Sequence, residues 1–340
     1  MHYGGTIGDI GEKELIRSII KPLLNPNDDP NSVGDDCAAI DAGAAGLVCV
    51  STDRVPADLI SFRLGIIDHR GLGYYLAVLN LSDLAAAGAR PAGLLLNFGL
   101  PSATRVEDFV ALFEGAKSAC EKHGCTIIGG DLSNSSELSL SATSVGIVAA
   151  GRRMITRRGT KVGDLVFCEE PVGLTSTAFA YFLRAKPTGL QLAPSEEELL
   201  MDQFRKPCPR FDVGYPLLEL GRVTAMDNTD GVAQSLAELA ELNGVGICID
   251  GGSLPIHDLS YKVARFLEVE PYEVALGPGA DFQLIGTLER EAHRQMLPQD
   301  VRIIGESVNG VGLSIRRGSK IDKIDIPGWN YFVPPVGSPR

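Results

Sequence analysis

No stretch of the sequence stays apolar for the ~20 residues that a membrane-spanning helix requires. The best apolar run, Ala42 to Val50, is short and follows Asp41. The opening segment, MHYGGTIGDIGEKELI, has no basic region followed by an apolar stretch, so a signal peptide is not expected and a cytoplasmic location is. Bases are too few for a nucleic-acid or anionic-membrane surface. The chain carries 43 acids against 31 bases, a net charge of -12, and would be repelled by phosphate-rich polymers. Disulfides are not expected either: seven scattered cysteines, an odd number, contain no CxxC pair. Cys120, Cys125 and His123 match no common zinc spacing. Nucleotide signatures are missing as well, with no GxxxxGK[ST] loop, no GxGxxG opening a helix and no protein-kinase motif set. Collagen, coiled coil and wholesale disorder are excluded by composition.

What remains is ordinary globular material. The 340 residues are 44% hydrophobic and 22% charged, enough to bury large cores without staples and to form about two domains. Strands and helices mix in both halves, which predicts an α/β or α+β fold. Apolar residues at helical spacing predict helices over 12–24, 68–87 and 106–123, the last closed by Gly124. Strands are expected at 38–40, 46–52, 92–100, 126–128 and 138–149. The basic, Gly-containing segment GRRMITRRGTKVG, 151–163, reads as a crossover between domains 1–150 and 151–340. Beyond it, strands are expected at 164–168, 245–249 and 281–288. Helices are expected at 176–184, 195–204, 215–220 and 232–243.

Acids recur beside small residues at predicted element ends. They stand in Gly34-Asp35-Asp36-Cys37-Ala38, Ser51-Thr52-Asp53, Asn80-Leu81-Ser82-Asp83, Gly129-Gly130-Asp131 and Asp227-Asn228-Thr229-Asp230-Gly231. Any one of these is an ordinary turn or helix cap. Two resist that reading. Asp83 follows a long apolar segment, where a lone carboxylate is expensive unless paired or metal-bound. Asp131 follows an apolar strand and two glycines that let backbone approach a ligand closely. Hard oxygen ligands of this kind suit Mg²⁺ shared with substrate phosphates.

The motifs GDDCA, STD, LAVLNLSDLAAAGARP, GGD, MITRRGTKVGD and MDNTDG, in this order, resemble those of thiamine-monophosphate kinase. That family lies within the aminoimidazole ribonucleotide synthetase-like superfamily. The similarity runs from GEKELI to IPGWNYF, nearly the whole chain. It implies an N-terminal α/β domain whose sheet pairs across a homodimer and a second α/β domain closing the cleft. It also implies an ATP-dependent kinase with several Mg²⁺ ions, acting on a small phosphorylated metabolite by direct in-line transfer. Asp36, Ser51, Thr52, Asp53, Asp83, Asp131, Asp227 and Asp230 fall on the implied metal positions. Asp53, Asp83, Asp131 and Asp230 would carry the catalysis. Gly130, Asp131, Arg157 and Thr229 fall on the implied ATP contacts.

The acceptor half departs from the pattern. A His-Phe pair expected after STD is absent from RVPADLISFR, leaving Ile60 and Ser61 there. The expected GGEDYEL reads GPGADFQL, which puts Ala280 at a substrate-contacting Glu. A usual Lys is Tyr75, while the substrate-side aromatic is kept as Trp329. The resemblance therefore implies an intact ATP and metal half and leaves the acceptor open. Rival readings are an ATP-activated amide- or amidine-forming enzyme of the same superfamily and a non-catalytic nucleotide-binding protein.

Overall fold

The computed structural model describes residues 35–292 and 297–326, with Glu14, Ile16 and Ser18 besides. Apart from those three residues, the expected helix over 12–24 lies outside the described residues, as does the aromatic Trp329.

Two sheets organise the chain. The first has the order β1-β2-β5-β3-β4. Its strands are β1 (Ala38–Asp41), β2 (Leu47–Arg54), β3 (Arg90–Leu100), β4 (Ile127–Asn134) and β5 (Ser139–Val148). All pair antiparallel except β3 with β4, which are parallel and joined through a helix. Period-2 alternation explains which face is covered. Leu94, Leu96 and Phe98 of β3 and Leu140, Ala142 and Val148 of β5 are buried against helices, while the alternate residues, such as Leu95, Asn97 and Ile147, face outward. A one-turn helix α1 (Ile60–Arg63) follows β2.

The covering helices are α2 (His69–Ala86) and α3 (Val106–Lys122). α2 starts where Asp68 caps it, its side chain accepting from the Gly71 N–H at 2.9 Å. From Leu72 to Ala86 only Tyr74 is not buried, because sheet, α3 and elements of the second half surround the helix. α3 is amphipathic, burying Leu112, Ala116, Ala119 and Cys120, and ends before Gly124 at φ +67°. The two helices approach very closely at glycines. A Cβ on Gly73 would stand 1.8 Å from the Leu112 carbonyl oxygen, and one on Gly115 1.9 Å from that of Arg70.

The second sheet has the order β12-β11-β8-β10-β6-β9-β7. Its strands are β6 (Leu165–Glu169), β7 (Val223–Asp227), β8 (Gly246–Asp250), β9 (Leu284–Leu288), β10 (Val301–Val308), β11 (Gly312–Arg317) and β12 (Lys320–Lys323). With it go α4 (Leu174–Ala180), continued by a π-helical turn to Ala185, α5 (Pro194–Arg205), α6 (Phe211–Leu217), α7 (Val232–Asn243), α8 (Asp258–Leu267) and α9 (Pro271–Ala275). This is the mixed α/β architecture the sequence predicts. Several elements differ from expectation. β4 continues through Gly129-Gly130-Asp131 instead of ending there. β9 starts at Leu284, because Asp281 is used to cap α4 and Phe282 sits at φ +57°. The helix expected at 215–220 is α6, four residues earlier. β7, α8, α9 and β10 to β12 were not anticipated.

Contacts tie the two halves together beside the site. Gly214 of α6 packs so close to α2 that a Cβ there would lie 2.0 Å from the Ala85 carbonyl oxygen. The Ile155 N–H donates to the Ala87 carbonyl at 3.1 Å. All seven cysteines are free thiols. Among the described residues no helix is long and apolar enough to cross a membrane.

Candidate active site

Asp36, Asp83 and Asp227 arrive from three different elements. Asp36 precedes β1, Asp83 lies on α2, and Asp227 ends β7 of the second sheet. Each offers a carboxylate oxygen, and the three oxygens lie within 4.8 Å of one another. All three residues are buried. Ser51 of β2 donates its hydroxyl to Asp83 Oδ2 at 2.5 Å. Asp53, two residues on and on the same strand face, comes within hydrogen-bonding reach of Asp83. Asn80, one turn before Asp83, fixes this strand to the helix. Its Oδ1 accepts the Asp53 N–H at 2.9 Å and its Nδ2 donates to the Leu76 carbonyl at 3.0 Å.

The electrostatics follow from the crowding. Burial, then the charges of Asp53, Asp227 and Asp36, push the Asp83 carboxyl far above the usual range. Burial and the Asp36 charge push Asp227 up to about 8. Burial also raises Asp36, and Arg157 holds it back at about 6. Arg157 sits at the heart of the cluster. Its Nε donates to Asp36 Oδ1 at 2.9 Å, its Nη2 to the same oxygen, and its Nη1 to Glu238 Oε1 at 2.6 Å. Its own N–H donates to Asp35 Oδ1 at 2.6 Å. One guanidinium thus faces several carboxylates, and Asp227 Oδ2 is buried without a hydrogen-bond partner. An orphaned oxygen among buried like charges is what a divalent cation would satisfy, and the all-oxygen donor set fits Mg²⁺.

Three other expected residues lie outside the grouped carboxylates. The Thr52 hydroxyl turns to the opposite face of β2, donating to the Ala142 carbonyl at 2.8 Å and accepting from Thr143 at 3.1 Å. Asp131 is exposed on the edge strand β4, in register with Asn97, and is not among the three grouped carboxylates. The two glycines before it serve the sheet: a Cβ on Gly130 would stand 1.8 Å from the Leu96 carbonyl oxygen of β3. Asp230 is half-buried just before α7 and is also outside the group.

A cleft of about 430 Å³, counted out to its mouth, gathers residues distant in sequence. Ile60, Tyr75, Thr229 and Ala280 all line it. Three of these are the positions where the sequence departs from the resembled pattern. Thr229 lies two residues past Asp227, and Tyr75 lies on the helix that carries Asp83. Ser61 does not line the cleft. It is buried, and its carbonyl accepts the N–H groups of Ile66 and Ile67. Asp281 is likewise structural, accepting from the Thr175 N–H at 2.9 Å and from Asn228 Nδ2 at 3.2 Å.

Sequence reasoning gave no role to Asn80, Asp35 or Glu238. The signal for Asn80 was available: like Asp83 it is a polar residue inside an apolar helical run. Glu238 carried no signal, because nothing local shows that α7 passes Arg157.

With this geometry in place, the comparisons with known proteins are direct. Residues 34–148 match the family described as AIR synthase related protein, N-terminal domain. The thiamine-monophosphate kinase of Pyrococcus abyssi is 28% identical over 305 residues, 89% of this chain and 91% of its own. That of Bacillus subtilis is 29% identical over 304 residues, 88% and 90% of the two chains. The solved structure "AaThiL complexed with AMPPCP and TMP" superposes with a TM-score of 0.81 at 25% identity, covering 97% of this chain and 99% of that one. The fold and its buried carboxylates define a protein of the AIR synthase-related superfamily. Within that superfamily, the chain is similar to thiamine-monophosphate kinases, which it matches over about nine-tenths of its length at 28% identity.

Proposed function

We propose that the protein is a Mg²⁺-dependent phosphotransferase. It would pass the γ-phosphoryl group of ATP to the phosphate of a small acceptor, giving ADP and a diphosphate. The carrying observation is the trio Asp36, Asp83 and Asp227, buried together with an oxygen left unpartnered. These three would hold Mg²⁺, with Asp53 and Ser51 completing the set. Bound Mg²⁺ supplies charge neutralisation between triphosphate and acceptor phosphate and aligns the two, most of what phosphoryl transfer asks.

The chain's own residues do the rest. Asn80 keeps β2 and α2 in register so that Asp53 and Asp83 face each other. Arg157, fixed between Asp36 and Glu238, brings a permanent cation to where phosphate charge gathers. Gly130, Asp131 and Thr229 are assigned to the nucleotide, with Asp131 and Asp230 as further metal ligands, on the resemblance. A phosphate acceptor needs little help from a general base, so no histidine is required beside it. The cleft at Ile60, Tyr75 and Ala280 would hold the organic part of the acceptor, joined by Trp329.

Thiamine monophosphate is the acceptor that the family implies. A second reading, the same chemistry on a different acceptor, is favoured by the apolar lining of the cleft. The test is incubation with Mg-ATP and thiamine monophosphate, with chromatography of the products. ADP together with thiamine diphosphate supports the first reading. ADP with free phosphate, and an aminated product when an amine donor is added, would instead indicate the amide-forming chemistry of the superfamily. Failure to bind ATP would defeat both.

We also infer a cytoplasmic homodimer built on the first sheet. Its outer face leaves Ile40, Leu95, Ile128 and Ile147 between 38% and 62% exposed.

A further inference from the structure

The walls of the cleft are almost free of charge. Pro56, Leu59, Ile60, Tyr75, Phe179 and Ala280 supply apolar or aromatic surface. Thr229 adds one hydroxyl, and Gly279 adds backbone alone. Among the described residues the single charged lining residue is Asp58. Its side chain is 70% exposed and already accepts from Arg63 Nη1 at 2.7 Å. Among the described residues no Lys, Arg or His lines the cleft.

These walls are also braced. Tyr75 meets Phe282 edge-on, ring centroids 5.5 Å apart, and Phe179 packs at 5.1 Å against Phe204. Ile60 is buried apart from the face it shows the cleft. Gly279 leaves no room for a side chain, since a Cβ there would lie 2.5 Å from Ser176 Oγ. An apolar slot with packed aromatic walls favours an apolar occupant.

A charged ring entering this slot sheds water and finds its one carboxylate at the rim, already paired. Attraction to the Tyr75 and Phe179 faces returns less than that desolvation removes. We propose that the cleft takes the organic part of the acceptor, and that this part is an uncharged ring. The acceptor class is then the phosphate monoester of an alcohol carrying a neutral aryl or heteroaryl ring, in preference to one bearing a permanent cation. This rests on the phosphotransferase reading above. The chemistry is unchanged: an acceptor phosphate oxygen bonds to the γ-phosphorus as the bond to the β–γ bridging oxygen breaks, and ADP leaves with that electron pair. Thr229 joins the two regions, with the phosphate end at the carboxylate cluster and the ring between Ile60, Tyr75 and Ala280. Ala280 is the specificity-determining residue, because a longer acidic side chain there would put an unpaired carboxylate into the slot.

Phenethyl phosphate serves as the neutral probe and thiamine monophosphate as the cationic one. ADP release and thermal shift with Mg-AMPPCP are measured for both, using the full chain. The expected result is a kcat/KM at least about tenfold higher for phenethyl phosphate, equivalent to one decade of discrimination. The thermal shift should be larger with phenethyl phosphate as well. Ala280→Glu should move the ratio by about tenfold towards thiamine monophosphate, and the neutral isostere Ala280→Gln should not. An equal or higher kcat/KM for thiamine monophosphate in the wild type overturns the proposal while leaving the kinase reading intact. Stabilisation by Mg-AMPPCP without any response to phenethyl phosphate also overturns it. No response to Mg-AMPPCP and no ADP with either probe takes down the kinase reading and this proposal together.

Discussion

Asp83 is held in place by neighbours that repel it. Asp53, Asp227 and Asp36 all surround it, and the Ser51 hydroxyl relieves part of the crowding. Asp83→Asn removes one charge and little volume. It should abolish turnover while the fold persists and the metal-free protein becomes somewhat more stable. Full activity at saturating Mg-ATP would refute the metal assignment. The same crowding fixes a pH dependence. Asp227 titrates near 3.8 when unfolded and at about 8 when folded. Between these values the folded chain keeps a proton that the unfolded chain has released. Stability from this group is therefore complete below the lower value and is lost as pH rises towards the upper one. Metal-free protein should melt at a lower temperature near pH 8 than near pH 5, as for any acid raised by burial. Asp227→Asn should flatten that slope in a calorimetric series. An unchanged slope would show that the group is not buried with its neighbours.

α2 gathers the site, and its packing on α3 leaves no room for a side chain. At Gly73 an added Cβ would overlap the Leu112 carbonyl, which is backbone and cannot rotate away. Gly73→Ala should therefore cost about 1–3 kcal/mol through overpacking, despite alanine's better helix propensity. Urea denaturation measures it, and a neutral or stabilising change would mean that the helices separate easily. Elements of this kind were the legible ones. The 3.6-residue rhythm marks α3 and α7 to within a residue, because each buries one stripe. β4 was cut short because Gly129-Gly130-Asp131 looks like a turn, whereas Gly130 answers to the Leu96 carbonyl on a strand about thirty residues earlier in the chain. Of the site, Asp83 was readable as an acid out of place in an apolar run, while Asp36 and Asp227 were legible only through the motif resemblance. That Asp131 stands apart from them, and that Glu238 braces Arg157, depends on tertiary approach and leaves no local trace.

At the scale of the whole molecule, the question is how four sheet edges and one bare sheet face avoid uncontrolled pairing. β12 carries Lys320, Asp322 and Lys323, a charged edge of the kind that resists addition of another strand. β1 is only four residues long. β4 is different. It has eight residues, IIGGDLSN, with Asp131 its only charge, and all but Ile127 are exposed. It borders the outward-facing Leu95 and lies in the same sheet as Ile147 and Ile40, all of them exposed. A long, nearly uncharged edge continuous with an apolar face is a surface that proteins cover. A second copy of the chain, meeting the first face to face, would cover both. Light scattering at micromolar concentration should then give twice the chain mass of 36.1 kDa. Combining Leu95→Lys with Ile147→Lys places two charges on that face without touching the helix-packed side of the sheet. The double variant should run at the single-chain mass with unchanged far-ultraviolet circular dichroism. Wild-type protein already at the single-chain mass, or a double variant that remains at twice it, would remove the first sheet as the dimer surface.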